Sequence, residues 1–182
     1  MTQNWTTPSL SGESAQFTLG GPTQYSDALW WEQLTPDATH SHFRYDLWVY
    51  VSDPSLPEAL EFDVNQSLNN TRYIFGTECS FKNSKRWDVW DGSTGRWIPS
   101  SAICDPFPAN TWSHIVWNFE RVNGQVHYID VTVNDNTQTV NMYLSPLANV
   151  NASEINVAVQ LDGDYQQDPF SMWVDKATLT HW

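Results

Sequence analysis

Hydrophobic and polar residues alternate along most of the chain, and this period of two predicts β-strands. In Ser41–Val51, for example, Phe43, Tyr45 and Leu47 fall on one face, whereas Arg44 and Asp46 fall on the other. The longest segments of this kind are Ser41–Val51, Ala59–Asn65, Thr111–Arg121, Gln125–Asn134, Gln138–Leu144 and Glu154–Asp162. Shorter strands are predicted over Ser14–Leu19, Ala28–Leu34, Arg72–Phe81, Arg86–Trp90 and Ser171–Leu179.

Turn-forming dipeptides separate these segments, among them Asp91-Gly92, Asn123-Gly124 and Asp162-Gly163. We find no stretch in which apolar residues recur with the 3.6-residue period of a helix. Many short strands without helices predict a β-sandwich or a β-barrel. Because the sequence contains no internal repeat or linker, we expect residues 1–182 to form a single β-sandwich domain.

The composition narrows the range of functions. The 182 residues include 21 Asp and Glu but only 8 Lys and Arg, which gives a formal net charge of −13. This charge argues against binding of nucleic acid or of an anionic membrane. The sequence has no run of eighteen apolar residues that would cross a bilayer. We therefore expect a monomer whose partner is neither nucleic acid nor membrane.

Two cysteines, Cys79 and Cys104, are the only ones in the chain. We predict a disulfide between them, and with it a secreted or periplasmic protein, because disulfides persist in oxidising compartments. Two buried free thiols in a cytosolic protein are the alternative. A metal site with these two cysteines is less favoured, because no histidine pair flanks them at the spacing of a zinc site.

One predicted strand carries an unusual row of polar residues. Glu61, Asp63 and Asn65 share a face of Ala59–Asn65, and burying them without partners would cost several kcal/mol. We therefore expect this face to line solvent or a wet cleft. Carboxylates and amides bind sugar hydroxyls, and aromatic rings stack on sugar rings, so the pattern favours a carbohydrate site. The further candidates for this site are Trp30, Trp31, Trp90, His114, Asn156 and Gln160.

The segment Glu61-Phe62-Asp63-Val64-Asn65-Gln66 resembles the catalytic strand of laminarinase/lichenase-type glycoside hydrolases. The C-terminal Trp173–Leu179 resembles the closing strand of the same concanavalin A-like jelly rolls. Ser9–Phe17 is similar to the edge strand of the lectin/glucanase superfamily and of laminin-G-like domains. The resemblance implies a concanavalin A-like jelly-roll β-sandwich of two antiparallel sheets.

The resemblance also implies roles for these residues, and one of the roles is not filled. In the family the first Glu of the motif is the nucleophile, the Asp orients it, and a second Glu is the acid/base. Glu61 and Asp63 match the first two positions, but Asn65 or Gln66 stands at the third, and an amide is no acid. A carboxylate from another strand, such as Glu78, Asp88 or Glu120, would be needed for hydrolysis.

A structural calcium ion is a further implication of the resemblance. An Asp on the family's closing strand commonly binds Ca²⁺ together with backbone carbonyls near the N-terminal strand. Asp175 stands at the matching position, with the Gly12-Glu13 turn as its partner. The alternative is that Asp175 caps a turn or pairs with Lys176.

Other chemistries have weaker support in the sequence. His40 and His42 would share a strand face and bind a metal, although a loop that enters a strand tolerates histidines equally well. Polysaccharide lyases also use jelly rolls, and Gln160 with His114 would fit such a site. The net charge of −13 makes an anionic polysaccharide a poor substrate, however.

These observations predict a domain that binds a neutral polysaccharide or oligosaccharide along a concave sheet face, with no cofactor required. Glu61, Asp63, Asn65 and Gln66 would bind hydroxyls, and Trp90 with Trp30 or Trp31 would stack on the sugar rings. An endo-β-glucanase with Glu61 as nucleophile is the alternative. A structural or adhesion domain without a small ligand is a third class.

Overall fold

The secondary structure of the chain is built from β-strands in two antiparallel sheets. The computed structural model describes residues 1–21, 23, 26–105, 107–164 and 168–182. All the regular elements in these ranges are strands. Within the same ranges, we find no helix that is able to cross a membrane.

The first sheet has seven strands, in which non-consecutive segments of the chain lie side by side. Their spatial order is β1 (Thr2–Trp5), β2 (Ser14–Leu19), β15 (Phe170–His181), β4 (His42–Val51), β10 (Trp112–Val122), β11 (Gln125–Val133) and β12 (Asn136–Leu144).

The second sheet has eight strands and is organised around the long strand β5 (Pro57–Leu68). One edge of β5 pairs with β14 (Glu154–Gly163), which in turn pairs with β3 (Asp27–Leu34). The other edge pairs first with β7 (Thr77–Ser80) and then with β6 (Thr71–Phe75), so that two short strands share it. On that side β7 is followed by β8 (Arg86–Asp91) and β9 (Arg96–Ile103), and β6 pairs with β13 (Leu147–Ala148).

The core lies between the sheets and is formed by the apolar positions of the alternating pattern. On β4 these are Phe43, Tyr45 and Leu47, which are at most 1% exposed. The neighbouring strand β10 contributes Ile115, Trp117 and Phe119, and β5 of the other sheet contributes Leu60, Phe62 and Val64, all at most 1% exposed. The pattern thus identified the buried face of each strand. The predicted fold, an all-β sandwich of two antiparallel sheets, is confirmed.

Two features of the strands differ from the prediction. The predicted strand Arg72–Phe81 is divided at Gly76 into β6 and β7. Strands β1, β9 and β13 were not predicted. The sequence of β9 contains Pro99, which argues against a central strand, but β9 pairs with β8 alone and edge strands tolerate proline.

The predicted disulfide is present between Cys79 on β7 and Cys104 just after β9. Their Cα atoms lie 5.5 Å apart, and both residues are buried in the core. The bridge therefore closes a loop that contains β8 and β9. On the chain-entropy model a loop of this length stabilises the folded state by about 3.5 kcal/mol.

We predict that the Cys79→Ala/Cys104→Ala double variant melts about 10 °C below the wild type, because the unfolded chain gains the freedom of this loop. Thermal unfolding followed by near-UV circular dichroism measures the shift, and alkylation with mass analysis counts the thiols in the wild type. Two free thiols in the native wild-type protein would contradict the structure.

Candidate functional site

The outer face of the eight-stranded sheet collects the polar side chains of β5. Leu60 and Phe62 point into the core, so the alternation directs Glu61, Asp63 and Asn65 outward. The register of β5 with β14 runs unbroken through these residues, and on its other edge Glu61 pairs with β7 and Asn65 with β6. Residues on adjacent strands that pair with them therefore lie on the same face.

A row of polar side chains crosses four strands of this face. Gln160 of β14 is directly opposite Glu61, Glu61 is opposite Glu78 of β7, and Glu78 is opposite Asp88 of β8. Directly opposed residues have Cβ atoms about 4.5–5.5 Å apart. We call Glu61, Glu78 and Asp88, together with Asp63 and Asp162 beside them, the carboxyl cluster.

A row of tryptophans runs alongside the carboxyl cluster. Trp31 of β3 is opposite Ala158 of β14, and Ala158 is opposite Asp63. On the other side of Asp63, Trp90 of β8 and Trp97 of β9 pair with each other, with ring centroids 5.1 Å apart. Trp31 is 57% exposed, so its indole is available to a ligand.

Gly76 makes room for this arrangement. A Cβ atom at position 76 would lie 2.8 Å from Cβ of Trp90 and 3.6 Å from Oδ1 of Asp63. The glycine that divides β6 from β7 therefore allows Trp90 to pack against the strand next to Asp63. The next backbone amide, that of Thr77, donates a hydrogen bond to Asp63 Oδ1 at 3.0 Å.

Two of the tryptophans, Trp90 and Trp97, form an open cleft with Glu61 and Asp63 of the carboxyl cluster. Its volume is about 320 Å³, and its lining comprises Glu61, Asp63, Ile74, Gly76, Trp90 and Trp97. This volume is at the lower end of the range for small-molecule sites. The cleft thus offers both apolar ring faces and hydrogen-bonding groups to a ligand.

The side-chain amide of Gln160 holds the carboxyl groups of Glu61 and Asp162 next to each other. Burial, with the charges of Asp63 and Asp162, raises the pKa of Glu61 to about 10. Burial also raises the pKa of Asp162, to about 6, although its hydrogen bonds oppose this. Gln160 Nε2 donates to Glu61 Oε1 at 3.1 Å and to Asp162 Oδ1 at 2.8 Å. At neutral pH Glu61 is the protonated member of the pair.

Glu78 and Asp88 form a second pair of this kind. Burial, followed by the charge of Asp88, raises the pKa of Glu78 to about 8. Burial also raises the pKa of Asp88, which accepts a hydrogen bond from Ser84 Oγ at 2.6 Å. Asp63 follows Glu61 on the same face of β5, and its burial raises its pKa to about 7. The cluster therefore holds both protonated and ionised carboxyl groups at neutral pH.

The predicted amides extend the polar surface beyond Asp63. Asn65 Nδ2 donates to Asn156 Oδ1 at 2.9 Å across β5 and β14. Of the predicted ligand-binding residues, the structure brings Glu61, Asp63, Asn65, Trp31, Trp90, Asn156 and Gln160 onto one face.

Three other predicted residues lie elsewhere, and this is a correction. Gln66 points toward the core and is 1% exposed, because β5 has no bulge after Asn65. His114 is on β10 of the other sheet, where it bonds Asp46 Oδ1 at 2.7 Å and stacks on Trp48. Trp30 packs against the core, because it alternates with the exposed Trp31.

The structure also separates the three candidates for a second carboxylate. Glu78 and Asp88 belong to the carboxyl cluster, whereas Glu120 is on β10 and contacts His42 and His127. Asp162 was not singled out in the sequence. The alternation in β14 indicated its position, because Asp162 falls on the same face of that strand as Asn156 and Gln160.

The surroundings of Asp175 do not fit the predicted calcium ion. Its carboxylate accepts hydrogen bonds from the backbone amides of Leu10 and Ser11 and from the hydroxyls of Ser9 and Ser11, at 2.6–3.1 Å. Burial raises the pKa of Asp175, but these bonds outweigh it and hold the pKa below the usual value. Four donors on one carboxylate favour the alternative of a turn cap, and calcium at Gly12 and Asp175 remains an untested prediction.

The sequence matches no protein-family model and no curated protein. Solved structures, however, share its fold. An alginate lyase of family PL-14 from Aplysia kurodai superposes with a TM-score of 0.62 at 7% identity, over 94% of this chain and 84% of that chain. The GH131 β-glucanase catalytic domain from Podospora anserina gives a TM-score of 0.51 at 10% identity, over 92% and 72% of the two chains.

A sialidase also superposes, with a TM-score of 0.58 at 11% identity. That match covers 94% of this chain but only 16% of the sialidase. At such low identity these similarities establish the fold. The chain is a jelly-roll β-sandwich.

We predict that Asp175→Ala lowers the free energy of unfolding by about 2 kcal/mol, because the amides of Leu10 and Ser11 lose their acceptor. Melting curves of the wild type and of this variant, each with calcium and with chelator, measure the effect. If Asp175 caps the turn and binds no ion, chelator leaves the melting curve of the wild type unchanged. A calcium-dependent rise in melting temperature that disappears in Asp175→Ala would establish the ion instead.

The carboxyl cluster predicts that stability falls as the pH rises. Its groups bind protons more tightly in the folded protein than in the unfolded chain. The stability that they contribute is therefore complete below about pH 4 and is lost as the pH passes their folded pKa values. These are about 6 for Asp162, 7 for Asp63, 8 for Glu78 and 10 for Glu61.

We expect Glu61→Gln to reduce this loss, since glutamine retains an oxygen that accepts from Gln160 but does not titrate. Between about pH 5 and pH 8.5 the melting temperature of the wild type should fall by at least about 3 °C more than that of the variant. Asp130→Asn, on the other sheet, is the matched control. Equal pH dependence of the Glu61→Gln and wild-type proteins would show that Glu61 is not protonated in the folded state.

Proposed function

We propose that this domain binds a neutral polysaccharide along the outer face of its eight-stranded sheet. The observation that carries the proposal is the row of tryptophans beside the carboxyl cluster, in which Trp31 is exposed and Trp90 and Trp97 line a cleft. Indole faces stack on the apolar faces of sugar rings, and carboxyl and amide groups bind the hydroxyls at their edges. Trp31 on one side of Asp63, and Trp90 with Trp97 on the other, would contact successive rings of an extended chain.

The state of the carboxyl groups supports an uncharged ligand. A protonated carboxyl group donates one hydrogen bond and also accepts, so the cluster matches hydroxyls, which do both. A polyanion such as alginate would be repelled by Asp63 and Asp162 as they ionise and by the net charge of −13. The two residues that would fit a polysaccharide lyase, Gln160 and His114, are on different sheets, so they do not support the lyase alternative.

Hydrolysis is the second candidate function, and the position of Glu78 is the observation that favours it. Retaining glycosidases use two carboxyl groups about 5–5.5 Å apart. Glu78 is directly opposite Glu61, so a neighbouring strand supplies the carboxyl group that the motif on β5 lacks. With a pKa of about 8, Glu78 would be protonated at neutral pH, as a general acid must be. Glu61, with a pKa of about 10, would have to lose its proton before it acted as the nucleophile.

The proposed setting is extracytoplasmic, and the buried disulfide supports it. We also propose that the domain binds its ligand as a monomer, because the tryptophans and carboxyl groups of the face come from one chain.

Affinity electrophoresis against laminarin, lichenan and alginate, with an assay of reducing ends, tests these proposals. We expect retardation by a neutral glucan, no retardation by alginate and no reducing ends. Trp31→Ala should weaken binding by about tenfold, while Trp5→Ala, which removes an exposed tryptophan of the other sheet, should not.

Each other outcome selects a different function. Release of reducing ends that stops in Glu61→Gln and in Glu78→Gln would identify a glycoside hydrolase. Retardation by alginate alone would show that the ligand is an anionic polysaccharide and not a neutral one. Failure to bind any glycan in the panel would assign the domain to the structural class.

A further inference from the structure

Three metal-ligating side chains meet at one end of the sandwich, away from the carboxyl cluster. Asp37 and His40 lie between β3 and β4, and His181 is the last residue of β15. Nδ1 of His40 is 2.8 Å from Nδ1 of His181 and 3.2 Å from Oδ2 of Asp37. One ligand atom from each residue fits within a span of 4.8 Å.

The possible hydrogen bonds among these three side chains cannot all form at once. His40 Nδ1 is close to two potential acceptors, but a single proton on that nitrogen makes only one good hydrogen bond at a time. A metal ion accepts lone pairs from all three atoms at once. In a tetrahedral zinc site the ligand atoms lie about 3.3 Å apart, close to the two shorter distances here.

The backbone around the site is also held by residues outside these three side chains. Gln66 Nε2 donates to the carbonyl oxygens of Asp37 and His40 at 2.8 and 2.9 Å. Arg121 donates to the His40 carbonyl at 3.2 Å and to Gln66 Oε1 at 2.9 Å. The buried Gln66 therefore positions the segment that carries two of the ligands.

The third ligand is positioned by strand pairing. His181 is opposite Phe43 in the pairing of β15 with β4. The backbone of the next residue, Trp182, exchanges hydrogen bonds of 3.0 and 3.2 Å with His42. The two histidine-bearing segments are thus brought together by main-chain contacts, which leaves their imidazoles free to bind an ion.

The two carboxylate oxygens of Asp37 have different partners. Its Oδ1 accepts hydrogen bonds from the backbone amide and the hydroxyl of Thr39, at 2.8 and 2.6 Å. Its Oδ2 faces His40 and remains available. The side chain of His40 is 39% exposed, so an ion reaches the site from solvent.

We propose that Asp37, His40 and His181 bind a zinc ion, with water in the fourth position. Two imidazoles and one carboxylate are a ligand set that suits zinc and is soft enough to exclude calcium and magnesium. The bound ion would link the segment before β4 to the end of β15. The binding is independent of the proposed carbohydrate site, which lies on the outer face of the other sheet.

A second group of two histidines and one carboxylate provides an internal comparison. Glu120 contacts His127 through Oε1 at 2.7 Å and His42 through Oε2 at 3.0 Å. There the carboxylate separates the imidazoles. Among the described residues, only the group of Asp37, His40 and His181 brings three ligand atoms within 4.8 Å of one another.

Calorimetric titration with zinc chloride at neutral pH tests the proposal. We expect one equivalent to bind to the wild type and to His114→Gln, a control at a histidine that bonds a different carboxylate. His40→Gln and His181→Gln should each weaken binding by about tenfold or more, since even the loss of an outer-shell partner has an effect of that size. Asp37→Asn, which retains an oxygen for the turn at Thr39, should weaken it too.

Nitrogen NMR of the imidazoles provides a readout that does not depend on the stability of the variants. In the wild type, zinc should shift Nδ1 of His40 and His181 and leave His42, His114 and His127 unchanged. The proposal is overturned if no equivalent of zinc binds. It is equally overturned if His181→Gln binds zinc as the wild type does, or if the shifts occur at His42 and His127.

Discussion

Proton sharing among carboxyl groups is the constraint on which the outer face of the eight-stranded sheet depends. Glu61, Glu78 and Asp88 follow one another across three adjacent strands, and their neighbours remove them from water. Ionising all of them together would place several like charges within a few ångströms of one another. The face is therefore more stable when part of the cluster holds its protons, and the raised pKa values of Glu61 and Glu78 make these the groups that hold them at neutral pH.

The rest of the fold supports this unfavourable grouping. The core residues of β5 alternate with the carboxyl groups, so the strand that carries Glu61 and Asp63 is also among the best buried. Gly76 admits Trp90 beside Asp63, and the disulfide fixes the strands that carry Glu78, Trp90 and their neighbours. A stable sandwich thus positions polar groups that would not assemble without it.

Local alternation in the sequence was sufficient to predict the longer strands and their buried faces, because the two-residue period is a property of each strand alone. It also placed Glu61, Asp63 and Asn65 outward. Pairing between distant strands is not encoded locally, so the meeting of Glu61 with Glu78 and Asp162, and the separation of His114 from them, required the structure. Gln66 was misplaced because the family motif allows a bulge, whereas β5 has none at that point.

A carbon NMR titration of the side-chain carboxyl groups tests the central claim most directly, because it reports the protonation of each residue in the folded protein. The account predicts that the carboxyl carbons of Glu61 and Glu78 titrate above pH 7, with Glu61 the higher of the two. Glu78→Gln should also lower the midpoint of Glu61, since it removes a neighbouring carboxyl group whose charge raises that pKa. Midpoints for both residues near the ordinary glutamate value of about 4.3 would contradict it.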